Sequence, residues 1–305
     1  MQLNKLNEQA KQLQLSSIAI SKSLRYGMFA SLFVGQGIEF DSCREYSLQD
    51  DIRSIDWNLT ARTGKAFIKL YREEHEVTVF VIIDASASMF SDTENNKTYF
   101  EKAVELASLF LFAGQHVSCQ VGAVVFSQKI KKIWFPKSGS DFVFSIVHQL
   151  QHFSAGENNG SDLNAAFDAA GKVLNKHGLI VVVSDFKIMN YKEKLSALAK
   201  YHDIIAIKLF SKYDYELPQV GLLRVHDSEH NQTIFVNTKS KKTGGTYQQR
   251  FLQKTAQWEN TCIDCGVLPC KISTSDNSVK VITDFLLSAK NKYDAINVLK
   301  RKSDR

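Results

Sequence analysis

From Val77 onward the chain alternates between two hydrophobic textures. Val77–Ile83, Gln120–Phe126, Leu179–Val183 and Ile204–Leu209 are nearly continuous apolar runs rich in β-branched residues. A strand reads this way when both of its faces are buried. Between these runs lie segments with the helical period. In Lys97–Gln115, Phe100, Val104, Ala107 and Leu111 recur every three or four residues. Ser140–Gln151, Asp162–Lys176 and Lys192–Tyr201 are read as helices too, with Ser161 in the position of a cap. Ile130–Phe135 and Leu268–Ile272 add strands, and Thr246–Cys265 and Ser278–Lys290 add helices. Strands alternating with helices predict an α/β fold built on a doubly wound, mainly parallel sheet.

The rest of the chain has a different pattern. Leu3, Leu6, Ala10 and Leu13 are spaced for a short amphipathic helix. Residues 26–75 hold Gly27, Gly35, Gly37 and Gly64 between short β-like runs such as Ala66–Tyr71, which predicts a small β-rich subdomain. Val220–His226 and Thr233–Asn237 interrupt the alternation as a hairpin. The expected organisation is a helix over 1–24, a β-rich unit over 25–76 to which the 212–240 hairpin could belong, an α/β domain over 77–290 and a charged tail over 291–305. The apolar stretch Met28–Val34 is read as core, with a contact surface for a partner or a membrane as the alternative.

Composition narrows the class without naming a function. With 305 residues, 44% hydrophobic and 23% charged, the chain is neither disordered, collagen-like nor disulfide-dense. A formal charge of +6 is mild, and the short clusters Lys239–Lys242 and Lys300–Lys302 read as a solvated loop and tail, so no nucleic-acid partner is expected. Five cysteines, an odd number, argue for a reducing compartment. The opening segment has no apolar core of signal-peptide length, and no apolar run approaches the length of a membrane span. A cytoplasmic location without a transmembrane segment is therefore expected.

The candidate chemistry sits where the first buried run stops, in VIIDASASMF, residues 81–90. Asp84 ends the run, and Ser86 and Ser88 follow at every second position. Ligands of open parallel sheets bind at the carboxyl ends of strands, near the point where strand order reverses. Asp185 ends another such run, and Ser161, beside Asp162, precedes a helix. A phosphate-cradling loop needs glycines that DASASMF lacks. A nucleophile elbow is absent as well. An aspartyl phosphotransferase would want a second carboxylate where Ser86 stands. Carboxylates and hydroxyls together suit a hard divalent cation, Mg²⁺, Mn²⁺ or Ca²⁺; the alternative is a cluster of caps and polar turns that holds no metal.

Asp84, Ser86 and Ser88, then Ser161 in GSDLNAAF and Asp185 in VVVSDF, resemble the metal-ion-dependent adhesion site of von Willebrand factor type A domains, with serine in place of that family's threonine. The likeness implies those five residues as metal ligands. Upstream, GIEFDSCREYSLQDDIRSIDWNLTAR, residues 37–62, resembles the signature of the bacterial domain of unknown function 58 family. Glu39, Phe40, Arg44, Tyr46, Asp50, Asp51, Arg53, Ile55, Asp56, Trp57, Ala61 and Arg62 carry the match. Together the two resemblances cover the chain from about Gly27 to about Leu287. They imply a type A fold and an adaptor working with a MoxR-type AAA+ ATPase in complex assembly or stress response, not an enzyme. Arg44, Asp50, Asp51, Arg53, Asp56 and Arg62 are read as a salt-bridge and hydrogen-bond network that locks the β-rich unit onto the type A domain, with direct partner binding as the alternative.

Cys262, Cys265 and Cys270 have no nearby fourth ligand and are read as packing, not as a zinc site. His148 and His152 are i,i+4 but lack the acidic companion of a zinc-protease helix, and are read as helix surface. The expectation is a non-enzymatic, metal-dependent interaction module whose cation grips an acidic side chain of a partner. A metal-dependent hydrolase and a metal-free interaction protein stand as alternatives.

Overall fold

The computed structural model describes residues 2–26, 40–47, 50–52, 55–71, 77–94, 97–154, 160–188, 190–218, 220–227, 232–238 and 241–288. Met28–Val34, Arg53 and the 291–305 tail lie outside them. The chain opens with α1 (Gln2–Tyr26), β1 (Phe40–Glu45), α2 (Trp57–Thr63) and β2 (Phe67–Tyr71). Then come β3 (Thr78–Asp84), α3 (Tyr99–His116), β4 (Gln120–Phe126), β5 (Ile130–Lys137), α4 (Ser140–Gln151) and α5 (Leu163–Val173). They are followed by β6 (Gly178–Ser184), α6 (Lys192–Ala199), β7 (Asp203–Phe210), β8 (Leu222–Asp227), β9 (Gln232–Asn237), α7 (Lys241–Asp264), β10 (Leu268–Ser273) and α8 (278–288).

Six strands form the central sheet in the order β10-β7-β6-β3-β4-β5. All pair in parallel except β5, which runs antiparallel to β4 at one edge. The fold is thus α/β with a doubly wound, mainly parallel sheet, as the alternation of runs predicts. After β3 the chain builds outward through β4 and β5, then crosses back to lay β6 on the other side of β3. Strand order therefore reverses at β3, and the carboxyl end of the strand at such a reversal is where open α/β sheets bind ligands. That end is Asp84.

Side chains of β3 alternate between two cores, and this is why its sequence is continuously apolar. Val79, Val81 and Ile83 join the cluster built by α3, α4 and α1. Phe80 and Ile82 join the cluster built by α5, α6 and α7, with Phe167, Leu195 and Trp258. Helix α3 is apolar all round because it is covered on more than one side: Phe110, Leu111, Phe112 and Ala113 are consecutive and all fully buried. One cover is α1, which packs along α3 and adds Ala10, Ile20 and Leu24 to the same core. Buried Ser17, Ser21 and Ser23 on α1 are satisfied by donating to carbonyls of their own helix.

The upstream unit is mixed. β1 and β2 pair antiparallel, but α2 stands between them, where β-like texture alone is expected. Its seven residues are held by Asp56, which accepts from the backbone N–H groups of Asn58 and Leu59, and by Gly64, left-handed at φ 71°, which closes the C-terminus. β8 and β9 form a separate antiparallel pair.

Candidate functional site

The site starts from the turn after β3. Asp84 is fully buried, and its Oδ1 accepts the backbone N–H of Ser86 (2.9 Å), which bends the chain sharply. A 3₁₀ turn, Ala87–Phe90, follows and leaves the Ser86 and Ser88 hydroxyls 3.3 Å apart. Ser161 arrives from the loop before α5, and its Oγ donates to Asp84 Oδ2 at 3.2 Å. That loop is tied to the end of β4 by the Asp162 N–H, which bonds the Ser127 carbonyl (2.9 Å).

Ser161 is not the cap of α5. Asp162 is, accepting from the N–H groups of Asn164 and Ala165. Two cap-forming residues stand side by side here, and the second takes the helix while the first turns toward the site.

Asp185 follows β6 and is 3% exposed. Its Oδ1 accepts the backbone N–H of Lys187 (3.2 Å), while its buried Oδ2 has no hydrogen-bond donor of acceptable geometry. The Lys187 ammonium lies 3.2 Å from that Oδ2 as an ion contact, and 3.5 Å from Asp214 Oδ1. The fold thus gathers Asp84, Ser86, Ser88 and Ser161 into one bonded cluster, and brings Asp185 close enough for its charge to act on Asp84.

That charge is visible in the protonation of the pair. Burial, and then repulsion from Asp185, pushes the Asp84 carboxyl up to about 6, although donors from Ser184 and Ser86 oppose the shift. Two buried carboxylates carry negative charge here, of which the Lys187 ammonium offsets one part and a bound cation could offset the rest. The donor set of carboxylate and hydroxyl oxygens suits a hard divalent ion. Among the described residues no group of three or more His, Cys, Asp or Glu side chains is placed to share a metal, so any ion here would depend on the serines.

Several members of the cluster escape sequence reasoning. Ser184 donates to Asp84 Oδ2 at 2.6 Å and accepts from the Phe186 N–H at 3.0 Å. Its position beside Asp185 at a strand end is the one signal that could have revealed it. Lys187 is held above the usual lysine range: burial works against its charge, but Asp185 and Asp214 outweigh that. The Tyr99 hydroxyl lies between Ser211 Oγ (2.7 Å) and the Asp214 carboxylate. Lys208, 7% exposed, has its pKa lowered by burial, with Asp185 and Asp214 pulling the other way, and its ammonium lies 5.5 Å from the Trp258 ring centre.

The upstream signature residues lie on the β1–α2–β2 unit. Arg44 makes a bidentate pair with Asp50, with contacts of 2.8 and 2.5 Å. Asp50 Oδ2 also accepts the Ser47 N–H (2.8 Å), and these donors, Arg44 foremost, hold its carboxyl below the usual range. Asp56 caps α2. Tyr46 is half-buried, Asp51 and Arg62 are exposed, and Trp57 is 66% exposed beside Ile52 at 61%. The described contacts of Arg44, Asp50 and Asp56 are local to this unit.

Cys262 and Cys265 are buried in one core and Cys270 in the other, none of them in a disulfide, and burial raises the Cys262 pKa. His148 and His152 are exposed on α4, with rings 4.5 Å apart. No helix among the described residues is long and apolar enough to cross a membrane.

A buried strand-end cluster of carboxylates and hydroxyls on a doubly wound sheet defines an α/β protein with a candidate cation-binding edge. Residues 42–257, more than half of the chain, match the family described as "protein of unknown function DUF58", and the chain belongs to that family. It is 27% identical over 206 residues to the uncharacterized protein Rv1480 of Mycobacterium tuberculosis, an alignment covering 67% of this chain and 65% of that relative's length. Among solved structures it is similar to the conserved hypothetical protein BatB of Bacteroides thetaiotaomicron, with 17% identity, 71% of this chain and 99% of that one covered, and a TM-score of 0.44. It is also similar to the SpRpn10 VWA domain, with 11% identity, 69% and 93% covered, and a TM-score of 0.38. The fold assignment rests on the sheet topology above, not on these likenesses.

Proposed function

We propose that the chain is a non-enzymatic protein-interaction module of the von Willebrand factor type A kind. Its strand-end cluster would hold a divalent cation, Mg²⁺ foremost with Mn²⁺ or Ca²⁺ as alternatives, and use it to grip an acidic side chain of a protein partner. One observation carries this reading. Asp84 and Asp185 are both buried at one sheet edge among the hydroxyls of Ser86, Ser88, Ser161 and Ser184, with the Lys187 ammonium as the cation now paired with Asp185. Burial first, and the Asp185 charge second, push Asp84 up to about 6. Asp84, Ser86, Ser88, Ser161 and Asp185 would supply the oxygens. A bound divalent ion would add a Lewis-acidic centre there, able to take one more oxygen ligand from outside.

An interaction role is preferred to hydrolysis because a metal-activated water needs a base to take its proton, and this reading already commits both carboxylates of the cluster, Asp84 and Asp185, as ligands. The family resemblance makes a MoxR-type AAA+ ATPase the partner of choice, in complex assembly or stress response. The chain spans about 65% of the length of its M. tuberculosis relative, and the partner is put forward for this chain alone.

The test is capture of a purified MoxR-type ATPase on immobilised protein, in Mg²⁺ and in chelator. Capture in Mg²⁺ that is lost in chelator and lost on Asp84→Ala supports the reading. Capture indifferent to both sinks it.

A further inference from the structure

The metal reading leaves unexplained why a lysine sits on a carboxylate oxygen of Asp185, one of the proposed ligands. We infer that Lys187 is a tethered competitor of that cation, filling its place beside Asp185 until it is displaced. The inference rests on the metal reading above and deepens it.

Local geometry aims the lysine. Phe186 has φ 49°, in the left-handed region that a bulky residue rarely adopts. Its ring is packed against Tyr191 (5.9 Å) and Trp258 (5.3 Å), which holds the turn in place. The chain therefore folds back, with the Phe186 N–H on Ser184 Oγ and the Lys187 N–H on Asp185 Oδ1. The ammonium then comes to lie 3.2 Å from Asp185 Oδ2, an oxygen that no other described donor reaches. Asp214 Oδ1 at 3.5 Å and the Tyr99 ring at 5.5 Å steady it from the other side.

An ammonium at that position and a divalent ion on the same carboxylate exclude one another. They compete for one carboxylate, and two positive charges a few ångströms apart in a buried cluster repel. The lysine can leave: its side chain is 47% exposed, while that of Asp185 is 4% exposed. Lys187 thus has a side chain half-exposed to solvent, although enough of it is covered for burial to work against its charge. An acidic group arriving from a partner offers the ammonium another carboxylate, so partner binding and cation loading would promote each other, and by linkage do so equally.

Calorimetric titration of the full chain with MgCl₂ and with MnCl₂ tests this, comparing wild type, Lys187→Gln, Lys187→Met and Lys187→Arg. Both neutral variants are expected to bind the ion at least ~10-fold more tightly than wild type, and the arginine variant no more tightly than wild type. Thermal melts with and without Mg²⁺ give a second readout: the ion-induced rise in Tm should be larger in the neutral variants, whatever their starting stability. If wild type binds the ion and the neutral variants bind it no better, Lys187 is not a competitor, and the metal reading survives. If neither wild type nor any variant binds either ion, both ideas fall together.

Discussion

Ser161 Oγ donates to Asp84 Oδ2 at 3.2 Å, joining residues 77 positions apart at the carboxyl edge of the sheet. The contact makes the cluster a tertiary object, assembled by the return of the chain after β5. Ser161→Ala removes both this donor and a proposed ligand. It should weaken Mg²⁺ binding while lowering stability by only ~1 kcal/mol, the net worth of a typical hydrogen bond. Ser161→Thr, which keeps the hydroxyl and restricts its rotamer, should bind Mg²⁺ at least as well as wild type. Titration calorimetry and urea denaturation read the two effects separately, and unchanged Mg²⁺ affinity in the alanine variant would remove Ser161 from the site.

Ser184 has a heavier structural role. Its 2.6 Å bond reaches a fully buried carboxylate. Ser184→Ala should cost about 1–3 kcal/mol at neutral pH, more than Ser161→Ala, as expected when a buried acceptor loses a donor. Equal urea midpoints for the two variants would contradict the order.

At their amino ends β3 and β6 approach closely. Gly178 pairs with Thr78 in that register, and a Cβ at Gly178 would lie 2.6 Å from the Thr78 carbonyl oxygen, a backbone atom that cannot swing aside. Gly178→Ala should therefore destabilise by about 1–3 kcal/mol, the range for overpacking a tight core. A urea midpoint equal to that of wild type would show that the strands separate at no cost.

At the opposite end of the sheet, His202 makes stability depend on acid. It is 7% exposed, its Nδ1 has no hydrogen-bond partner, and its ring stacks on His177 at 6.4 Å. Burial first, and the His177 charge second, lower its pKa from the ordinary 6.5, with Asp203 opposing. The unfolded chain therefore binds the proton more readily than the folded one. The contribution is complete above the ordinary value and is lost as pH falls through it. Urea midpoints at pH 7.5 and pH 5.5 should differ by less in His202→Gln than in wild type; an unchanged difference would assign the acid sensitivity elsewhere.

The sheet was legible because burial on both faces writes itself as unbroken apolar runs, and β4 is read to the residue as Gln120–Phe126. Helix α2 was not, because seven residues show no period and the element is held by Asp56 and Gly64 at its ends. The cluster was half legible. Asp84, Ser86 and Ser88 announce themselves by position at a strand end, and Asp185 by the same logic. Ser161 was found for the wrong local reason, since Asp162 is the helix cap. Lys187 and Asp214 were passed over because an ion contact between a turn after β6 and a segment after β7 leaves no spacing to read.

The central claim is that the strand-end cluster holds a divalent cation. Calorimetric titration of MgCl₂ into the wild-type chain and into Asp84→Ala and Asp185→Ala tests it most directly. The account predicts saturable heat from one site in wild type and none in either variant, with both variants still folded by circular dichroism. Equal heats in all three proteins, or no heat in wild type, Lys187→Gln and Lys187→Met alike, would contradict it.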